Sequence, residues 1–375
     1  MSTGGFTRWG RRCVPEAVLL TGATGFLGME LLARLIERDD TEVICLVRAP
    51  GREAAQARLE TIYDLLYDER PMGVERVSAI AGDVAVDGLG LSESDRDEVL
   101  ARVTSIIHCA ASISFDLPFE SARQTNSVGP VRMIELAREL AERGRLRRHV
   151  HVSTAYVAGR HHGHFSESDL DVGQGFRNTY EQTKFAGEQA VGKAAGELPL
   201  VVARPSIVVG DSRTGWTPVF NVIYWPLRAF SRGLMDEVPV DPDGVADIVS
   251  VDYVAEGLLA LLDLDEVRGT VHLVAGRSAI TNQELIELAC RHFDRPPPRL
   301  VHHADSTPDQ AAVYLPYFGI EATLDDRRAR ALLGPLGVEP THLRDYFTRI
   351  IDYAERSRWG KRPLTRQGAA AATSA

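Results

Sequence analysis

The chain has 375 residues, 44% of them hydrophobic, and is therefore long enough to bury a large core. Its 52 acidic and 42 basic residues give a net charge of −10, which argues against nucleic-acid binding. The four cysteines lack the paired spacing of zinc sites or disulfides, and no apolar run approaches the roughly 20 residues of a membrane span, so we expect a cytoplasmic protein.

Residues 1–14 lack the apolar stretch of a secretion signal and are expected to form a flexible arm.

A glycine-rich turn joins the first predicted strand and the first predicted helix. An apolar run over 17–21 predicts a buried strand, and a helix pattern follows over 26–38. Strand, glycines and helix together are the fingerprint of a dinucleotide fold, although an unrelated α/β protein can also carry a glycine turn. We expect the diphosphate at the start of this helix, in contact with Thr21, Gly22, Thr24, Gly25, Phe26, Leu27 and Gly28.

The residue after the second predicted strand bears on the choice of cofactor. Dinucleotide folds that prefer NAD usually place a carboxylate about 20 residues beyond the glycines. Here that position holds Arg48, and Arg52 lies one helical turn further on. A guanidinium can bind a 2′-phosphate through two hydrogen bonds, so the sequence favours NADPH. The alternative interpretation is that Arg48 is an ordinary surface arginine at the end of a strand.

Strands and helices alternate through the first half of the chain. This alternation predicts an α/β fold, namely a Rossmann-type doubly wound parallel sheet that binds ligands at the carboxyl ends of its strands. We therefore expect Asp83 and Val84 near the adenine, and Ala110 and Ala111 where small residues let the cofactor lie close. The predicted strands are 17–21, 42–47, 76–82, 103–109, 149–153 and 199–204, and the predicted helices are 26–38, 52–67, 92–101, 119–142 and 178–195.

Beyond residue 210 strands and helices no longer alternate regularly, and the sequence predicts a second, smaller lobe. A short strand over 246–251, a helix over 253–263 and one more strand over 271–275 are expected to return to the sheet. The predicted organisation is a flexible arm (1–14), a cofactor-binding core (15–210, with returns at about 246–275), a mostly helical substrate lobe (211–245 and 276–360) and a disordered tail (361–375).

The candidate catalytic pair is Tyr180 and Lys184. Their i,i+4 spacing places both side chains on one face of a helix. A lysine ammonium there, together with the positive nicotinamide, is expected to lower the tyrosine pKa and to make the phenol a usable proton donor. Upstream, an apolar strand ends in Ser153 and Thr154, and a hydroxyl at that point can hydrogen-bond a carbonyl that becomes an oxyanion.

These motifs resemble an extended short-chain dehydrogenase/reductase, and within it the thioester reductase and fatty acyl-CoA reductase group. The resemblance implies that Thr154 is the third catalytic residue, with Ser153 as the fallback. It also implies that Asn126 supports the lysine through water, and that the backbone of Pro205, Ser206 and Ile207 holds the nicotinamide carboxamide. The matching stretches are 20–28, 45–49, 107–111, 152–157, 180–184 and 204–210.

Several further features carry two interpretations. The aromatic stretch 220–230 either lines an acyl-chain pocket or packs the core of the second lobe. His161, His162 and His164 are interpreted as a solvated loop and not as a metal site, and no metal is expected. His108 is interpreted mainly as packing beside the cofactor. Arg213, Arg228 and Arg232 either meet phosphates of the substrate or serve solubility.

The resemblance implies NADPH-dependent reduction of an acyl thioester to an aldehyde, with a second hydride giving the alcohol. No carrier or adenylation domain precedes the module in this sequence, so we expect acyl-CoA or a separate acyl carrier protein to supply the thioester. The sequence does not exclude a peripheral contact with a membrane, and it does not predict the oligomeric state. The alternatives are a sugar-nucleotide epimerase or hydroxysteroid-type dehydrogenase of the same superfamily, and a non-catalytic NADP-binding sensor.

Overall fold

The computed structural model describes residues 16–115, 117–301 and 314–374, so the predicted arm over 1–14 lies outside the described residues. Apolar runs form the strands of the core because parallel strands are buried on both faces. The strands, numbered in chain order, are β1 Glu16–Thr21, β2 Thr41–Val47, β3 Val77–Ala81, β4 Ser105–His108, β5 Arg148–Val152, β6 Gly163–Phe165, β7 Leu200–Pro205, β8 Ile207–Val209, β9 Glu237–Val238, β10 Val245–Ala246, β11 Ile248–Ser250, β12 Gly269–Leu273, β13 Ile280–Thr281, β14 Arg299–Leu300 and β15 Ala322–Leu324.

Amphipathic helices cover both faces of the sheet. The helices are α1 Phe26–Ile36, α2 Arg52–Leu66, α3 Glu93–Arg102, α4 Phe119–Arg123, α5 Gly129–Glu142, α6 Thr179–Gly192, α7 Tyr224–Ser231, α8 Val251–Asp263, α9 Asn282–Phe293, α10 Arg327–Leu333, α11 Phe347–Arg356 and α12 Arg366–Ser374.

Seven parallel strands form the central sheet in the order β12-β7-β5-β4-β1-β2-β3. Successive residues of β1 point to opposite faces: Val18 and Leu20 join one buried cluster with α1, α2 and α8, whereas Leu19 joins the other with α5. The predicted Rossmann-type doubly wound fold is confirmed. The sheet order reverses at β1, so β1 and β4 end side by side where this fold binds its ligand.

The structure differs from the sequence prediction at two elements. The helix predicted over 119–142 is divided by a π-helical turn, Gln124–Val128, which carries Asn126 into the interior. The strand predicted over 246–251 does not join the central sheet: β10 pairs with β13 and β11 pairs with β8. The additional strand predicted near 271–275 does join it, as β12 beside β7.

The tail predicted to be disordered over 361–375 contains a helix, α12. Its first residue, Arg366, donates a 2.7 Å hydrogen bond from Nε to the fully buried carboxylate of Glu30 on α1. The side chain of Gln367 accepts hydrogen bonds from the backbone N–H groups of Asp68 and Glu69 after α2. A small-residue composition predicted disorder, but these specific polar contacts hold the segment against the core.

Candidate active site

The glycine turn has the geometry that the sequence predicted. Gly22 has φ +79°, and a β-carbon there would lie 2.8 Å from the backbone nitrogen of Ala110. A β-carbon on Gly28 would lie 1.9 Å from the carbonyl oxygen of Gly22. Because a side chain at either position would collide with backbone, only glycine allows this turn and this close packing of α1 on β1.

The first turn of α1 can bind an anion. Gly25 precedes the helix in an extended conformation, and its own N–H donates to the carbonyl of Gly22 at 2.9 Å. Within the described part of the chain, no side chain caps the helix start. The first N–H groups of a helix have no intrahelical acceptor and lie at its positive end. This cradle, from which side chains are excluded, fits the diphosphate of a dinucleotide.

Thr21 and His108 join the ends of β1 and β4 below the cradle. The Thr21 hydroxyl lies 2.7 Å from Nδ1 of His108 and accepts a 3.1 Å hydrogen bond from the N–H of Ala110. Burial holds the pKa of His108 well below its usual range, so the ring is neutral. The Thr21 hydroxyl is therefore already engaged within the protein, and it positions the chain at Ala110 and Ala111. The buried, neutral ring of His108 agrees with its interpretation as packing.

The two arginines near the expected 2′-phosphate position differ in their surroundings. Arg48 is exposed at the end of β2, whereas the Arg52 guanidinium pairs with Asp95 at 3.0 Å and with Glu98. A cleft of about 460 Å³ begins at Ala49, next to Arg48. Arg52 is thus committed to carboxylates of the protein.

Asp83 and Val84 follow β3 at the same edge of the sheet. The Asp83 carboxylate accepts a 2.9 Å hydrogen bond from the N–H of Ala85, which shapes the turn, and Val84 is buried against Gly129. Both residues lie at the end of a strand adjacent to β2, as the sequence predicted for residues near an adenine.

Tyr180 begins helix α6, and its phenol meets the end of β5. The Thr154 hydroxyl donates to the carbonyl oxygen of Pro205 at 3.4 Å, and it lies close enough to the Tyr180 phenol to oppose the effect of burial on the pKa of that phenol. Burial raises the pKa of Tyr180 to about 12. A phenol is protonated at neutral pH already at its ordinary pKa of about 10, and burial makes Tyr180 a weaker acid, so it donates its proton only to an oxygen on which negative charge develops.

Lys184 lies one turn along the same helix and is buried. Its Nζ donates to the carbonyl oxygen of Val152 at 2.8 Å, and burial lowers its pKa to about 8. The sequence predicted that this ammonium lowers the tyrosine pKa. In the protein alone, burial outweighs the other influences on the Tyr180 pKa and the lysine is directed at a carbonyl, so the lowering, which includes the charge of the nicotinamide, stays a prediction.

The two adjacent hydroxyls after β5 have different partners. Ser153 donates to the carboxylate of Glu188, which forms a buried bidentate ion pair with Arg204, the shortest contact being 2.6 Å. Thr154, in contrast, lies beside the Tyr180 phenol. Of the two, Thr154 is the one directed at the candidate proton donor.

Asn126 braces the chain next to this pair. Its amide accepts from the N–H of Ser112 at 2.8 Å and donates to the carbonyl of Ser112 and to the hydroxyl of Thr183. Gly187 lets α6 approach the π-helical turn, since a β-carbon there would lie 2.1 Å from the Asn126 carbonyl oxygen. Because Thr183 directly precedes Lys184, Asn126 fixes the part of α6 that carries the lysine.

The segment 205–207 leaves the central sheet at its carboxyl edge. The N–H of Ser206 donates to the carbonyl of Leu273 and the N–H of Ile207 to that of Asp247. Asp247 in turn accepts from the N–H groups of Ala275 and Gly276 at 2.8 and 2.9 Å. This network fixes the backbone of Pro205 beside Thr154.

Sequence reasoning missed an aromatic cluster around Tyr180. The ring of Phe115 lies 5.7 Å from that of Tyr180 and stacks on Tyr317 at 5.2 Å, and Tyr317 meets Tyr156 edge-on at 4.9 Å. Asn178 donates to the Tyr317 hydroxyl at 2.7 Å. These residues are far apart in the chain, so no local pattern could bring them together. Glu188 was also missed, although its place one turn after Lys184 on α6 was a signal.

The histidine cluster and the aromatic stretch also have defined places. Residues 163–165 form β6, which pairs with β15. The exposed side chains of His162 and His164 lie against Glu321 and Asp325 respectively, so the predicted solvated loop is in part a short strand. From the stretch 220–230, Ile223, Leu227 and Phe230 are buried in the lobe core and also line an apolar cavity. Both interpretations of the stretch therefore have structural support.

Residues 20–258 match the model of an NAD-binding family described as male sterility protein. The chain belongs to this family. It is 25% identical over 357 residues to the probable fatty acyl-CoA reductase 5 of Arabidopsis thaliana, covering 76% of this chain and 71% of that protein. It is also 31% identical to human fatty acyl-CoA reductase 1, and 32% identical to a linear gramicidin synthase protein of Brevibacillus parabrevis. These two matches cover 65% and 69% of this chain, but only 53% of the human protein and 5% of the synthase.

Solved structures share the fold of this family member. The terminal R domain of a myxalamid PKS-NRPS pathway superposes with a TM-score of 0.80 at 24% identity, covering 94% of this chain and 93% of that domain. UDP-glucuronic acid 4-epimerase from Bacillus cereus, in complex with NAD, superposes with a TM-score of 0.65 at 19% identity, covering 91% and 99%. The predicted resemblance to the thioester and fatty acyl-CoA reductase group is confirmed, and a nicotinamide cofactor is supported. Among the described residues, no helix is long and apolar enough to cross a membrane.

Proposed function

We propose that the protein is an NADPH-dependent reductase of acyl thioesters, either acyl-CoA or acyl carrier protein-bound. The observation that carries the proposal is that the Thr154 hydroxyl and the Tyr180 phenol lie together at the carboxyl edge of a dinucleotide-binding sheet. Relatives named fatty acyl-CoA reductases support a thioester as the substrate.

When bound, NADPH supplies a hydride to the thioester carbonyl carbon. The Thr154 and Tyr180 hydroxyls hold the carbonyl oxygen as negative charge develops on it. Tyr180, which burial keeps protonated, then gives its proton to that oxygen. The product is a hemithioacetal, which collapses to aldehyde and thiol. A second reduction of the aldehyde at the same hydroxyls gives the alcohol.

Residues of this chain fit the cofactor at several points. The first turn of α1 would hold the diphosphate, and Asp83 and Val84 lie at the edge assigned to the adenine. Lys184 would hold the nicotinamide ribose, with Pro205, Ser206 and Ile207 beside the carboxamide. Arg48, exposed after β2, would bind the 2′-phosphate, which is why we propose NADPH over NADH.

The sugar-nucleotide epimerases remain the second candidate because their solved structures share the whole fold. Two observations disfavour them for this chain: a basic residue stands where an NAD-retaining enzyme usually has a carboxylate, and the cavity in the lobe is apolar. A sensor that only binds NADP is disfavoured because Tyr180 and Lys184 are both present.

The test is reduced-nicotinamide absorbance with a series of acyl-CoAs, followed by product identification. Acyl-CoA-dependent consumption of NADPH with release of free thiol is the expected result. Protein that purifies with tightly held NAD and consumes no NADPH with any thioester would support the epimerase and overturn the proposal.

A further inference from the structure

The second lobe contains a cavity whose walls are almost entirely apolar. Helix α7 contributes Leu227 and Phe230 to one wall, with Ile223 directly before the helix, and α9 contributes Leu285 and Ala289 to the facing wall. The cavity has a volume of about 60 Å³.

A cavity of this kind is unusual unless something fills it. Protein interiors pack as densely as organic crystals, and voids larger than a water molecule are few. Water needs polar partners, so a cavity lined by aliphatic and aromatic side chains stays dry. The polar residue on the wall, Asn282, uses both amide hydrogens on the carbonyls of Asp241 and Phe318, which leaves its buried Oδ1 as the one unpartnered atom of this amide within the described residues, fewer than the two to four polar partners that a water needs. The natural occupant is therefore a flexible apolar chain.

A short, buried helical turn lies between this cavity and the candidate proton donor. In the turn Leu315–Phe318, Leu315 and Phe318 line the cavity, while Tyr317 between them stacks on Phe115. The Phe115 ring in turn lies 5.7 Å from Tyr180. One face of the turn thus meets the aromatic cluster of the active site and the other meets the cavity.

We propose that this cavity binds the distal carbons of the acyl chain and sets the chain length that the enzyme accepts. The inference rests on the proposed thioester reductase function, since it assigns the substrate of the same site. The thioester lies at Tyr180, and the chain runs past Phe115 and Tyr317 into the space between α7 and α9. Each methylene that enters should improve kcat/KM about fourfold until the cavity is full.

Two variants at the cavity wall test the assignment in opposite directions. Ala289→Leu fills the space, and we expect kcat/KM for palmitoyl-CoA to fall at least tenfold while butyryl-CoA stays within about twofold of the parent enzyme. Phe230→Leu enlarges the space and should move the optimum to longer chains. Phe293→Leu is the matched control because its ring contacts Phe230 at 6.2 Å but does not line the cavity.

Calorimetric binding measurements with the same acyl-CoAs distinguish failure of the reductase function from failure of the cavity assignment. If no thioester is reduced but palmitoyl-CoA binds and Ala289→Leu abolishes that binding, the reductase function fails and the cavity assignment stands. Equal effects of Ala289→Leu on turnover or binding of every chain length, or a Phe293→Leu profile that changes like Phe230→Leu, would overturn the cavity assignment.

Discussion

The Ser153 hydroxyl donates a hydrogen bond to the Glu188 carboxylate, a residue one helical turn beyond Lys184. The same carboxylate forms a bidentate ion pair with Arg204, the residue before Pro205. Glu188 therefore joins β5, α6 and β7 at the three points where the candidate catalytic and cofactor-binding residues lie. Because Ser153 is committed to this carboxylate, we propose the neighbouring Thr154 as the hydroxyl that faces the substrate.

This division of roles predicts different outcomes for the two hydroxyls. Thr154→Val should lower kcat about 10² to 10³-fold, the cost of removing an oxyanion donor. Ser153→Ala should retain most of the activity but lower the free energy of unfolding by about 1–3 kcal/mol, because it leaves a buried charged acceptor with one partner fewer. Steady-state kinetics and urea unfolding of both variants provide the measurements. The opposite pattern would make Ser153 the catalytic hydroxyl.

The glycine turn predicts a steric effect on cofactor binding. Gly28→Ala places a β-carbon 1.9 Å from the Gly22 carbonyl oxygen, so α1 must move away from β1 and its N–H groups lose their alignment. We expect NADPH affinity measured by fluorescence titration to fall by at least tenfold. Gly192→Ala, at the end of α6 with open space around its α-carbon, is the control and should bind NADPH normally. Unchanged binding by Gly28→Ala would exclude this turn as the diphosphate site.

Cofactor choice is assigned to Arg48. Arg48→Gln should raise KM for NADPH about 10 to 100-fold and leave KM for NADH nearly unchanged, since a hydrogen bond to a charged group contributes about 1.5–3 kcal/mol. Arg143→Gln, an exposed arginine after α5, controls for the loss of one surface charge. If both cofactors are affected equally, Arg48 does not read the 2′-phosphate.

The buried lysine predicts a pH dependence of stability. Burial lowers the Lys184 pKa from 10.5 to about 8, so between these values the unfolded chain binds a proton that the folded protein does not. The free energy of unfolding should therefore rise with pH across this interval, by about 3 kcal/mol from this residue. Lys184→Met should remove that rise, as measured by urea unfolding at pH 7 to 10. If the free energy of unfolding of the variant rises with pH as steeply as that of the parent protein, the lowered pKa belongs to another group.

The features that could be predicted from the sequence are those encoded within a few consecutive residues. The turn at Gly22–Gly28 and the Tyr180–Lys184 spacing fix their geometry locally, and the structure shows both as expected. The stacking of Phe115 on Tyr317 depends on how two distant segments fold together, which no spacing reveals. The raised Tyr180 pKa was missed for the same reason, because desolvation is a property of the packed site.

The most direct test of the account is single-turnover reduction of an acyl-CoA by Tyr180→Phe, with NADPH binding measured on the same protein. The account predicts that NADPH binds with nearly parental affinity while hydride transfer falls by at least about 10²-fold, since the variant keeps the ring and loses the proton. Hydride transfer at the parental rate in a variant that binds NADPH would remove Tyr180 from the mechanism and contradict the proposed active site.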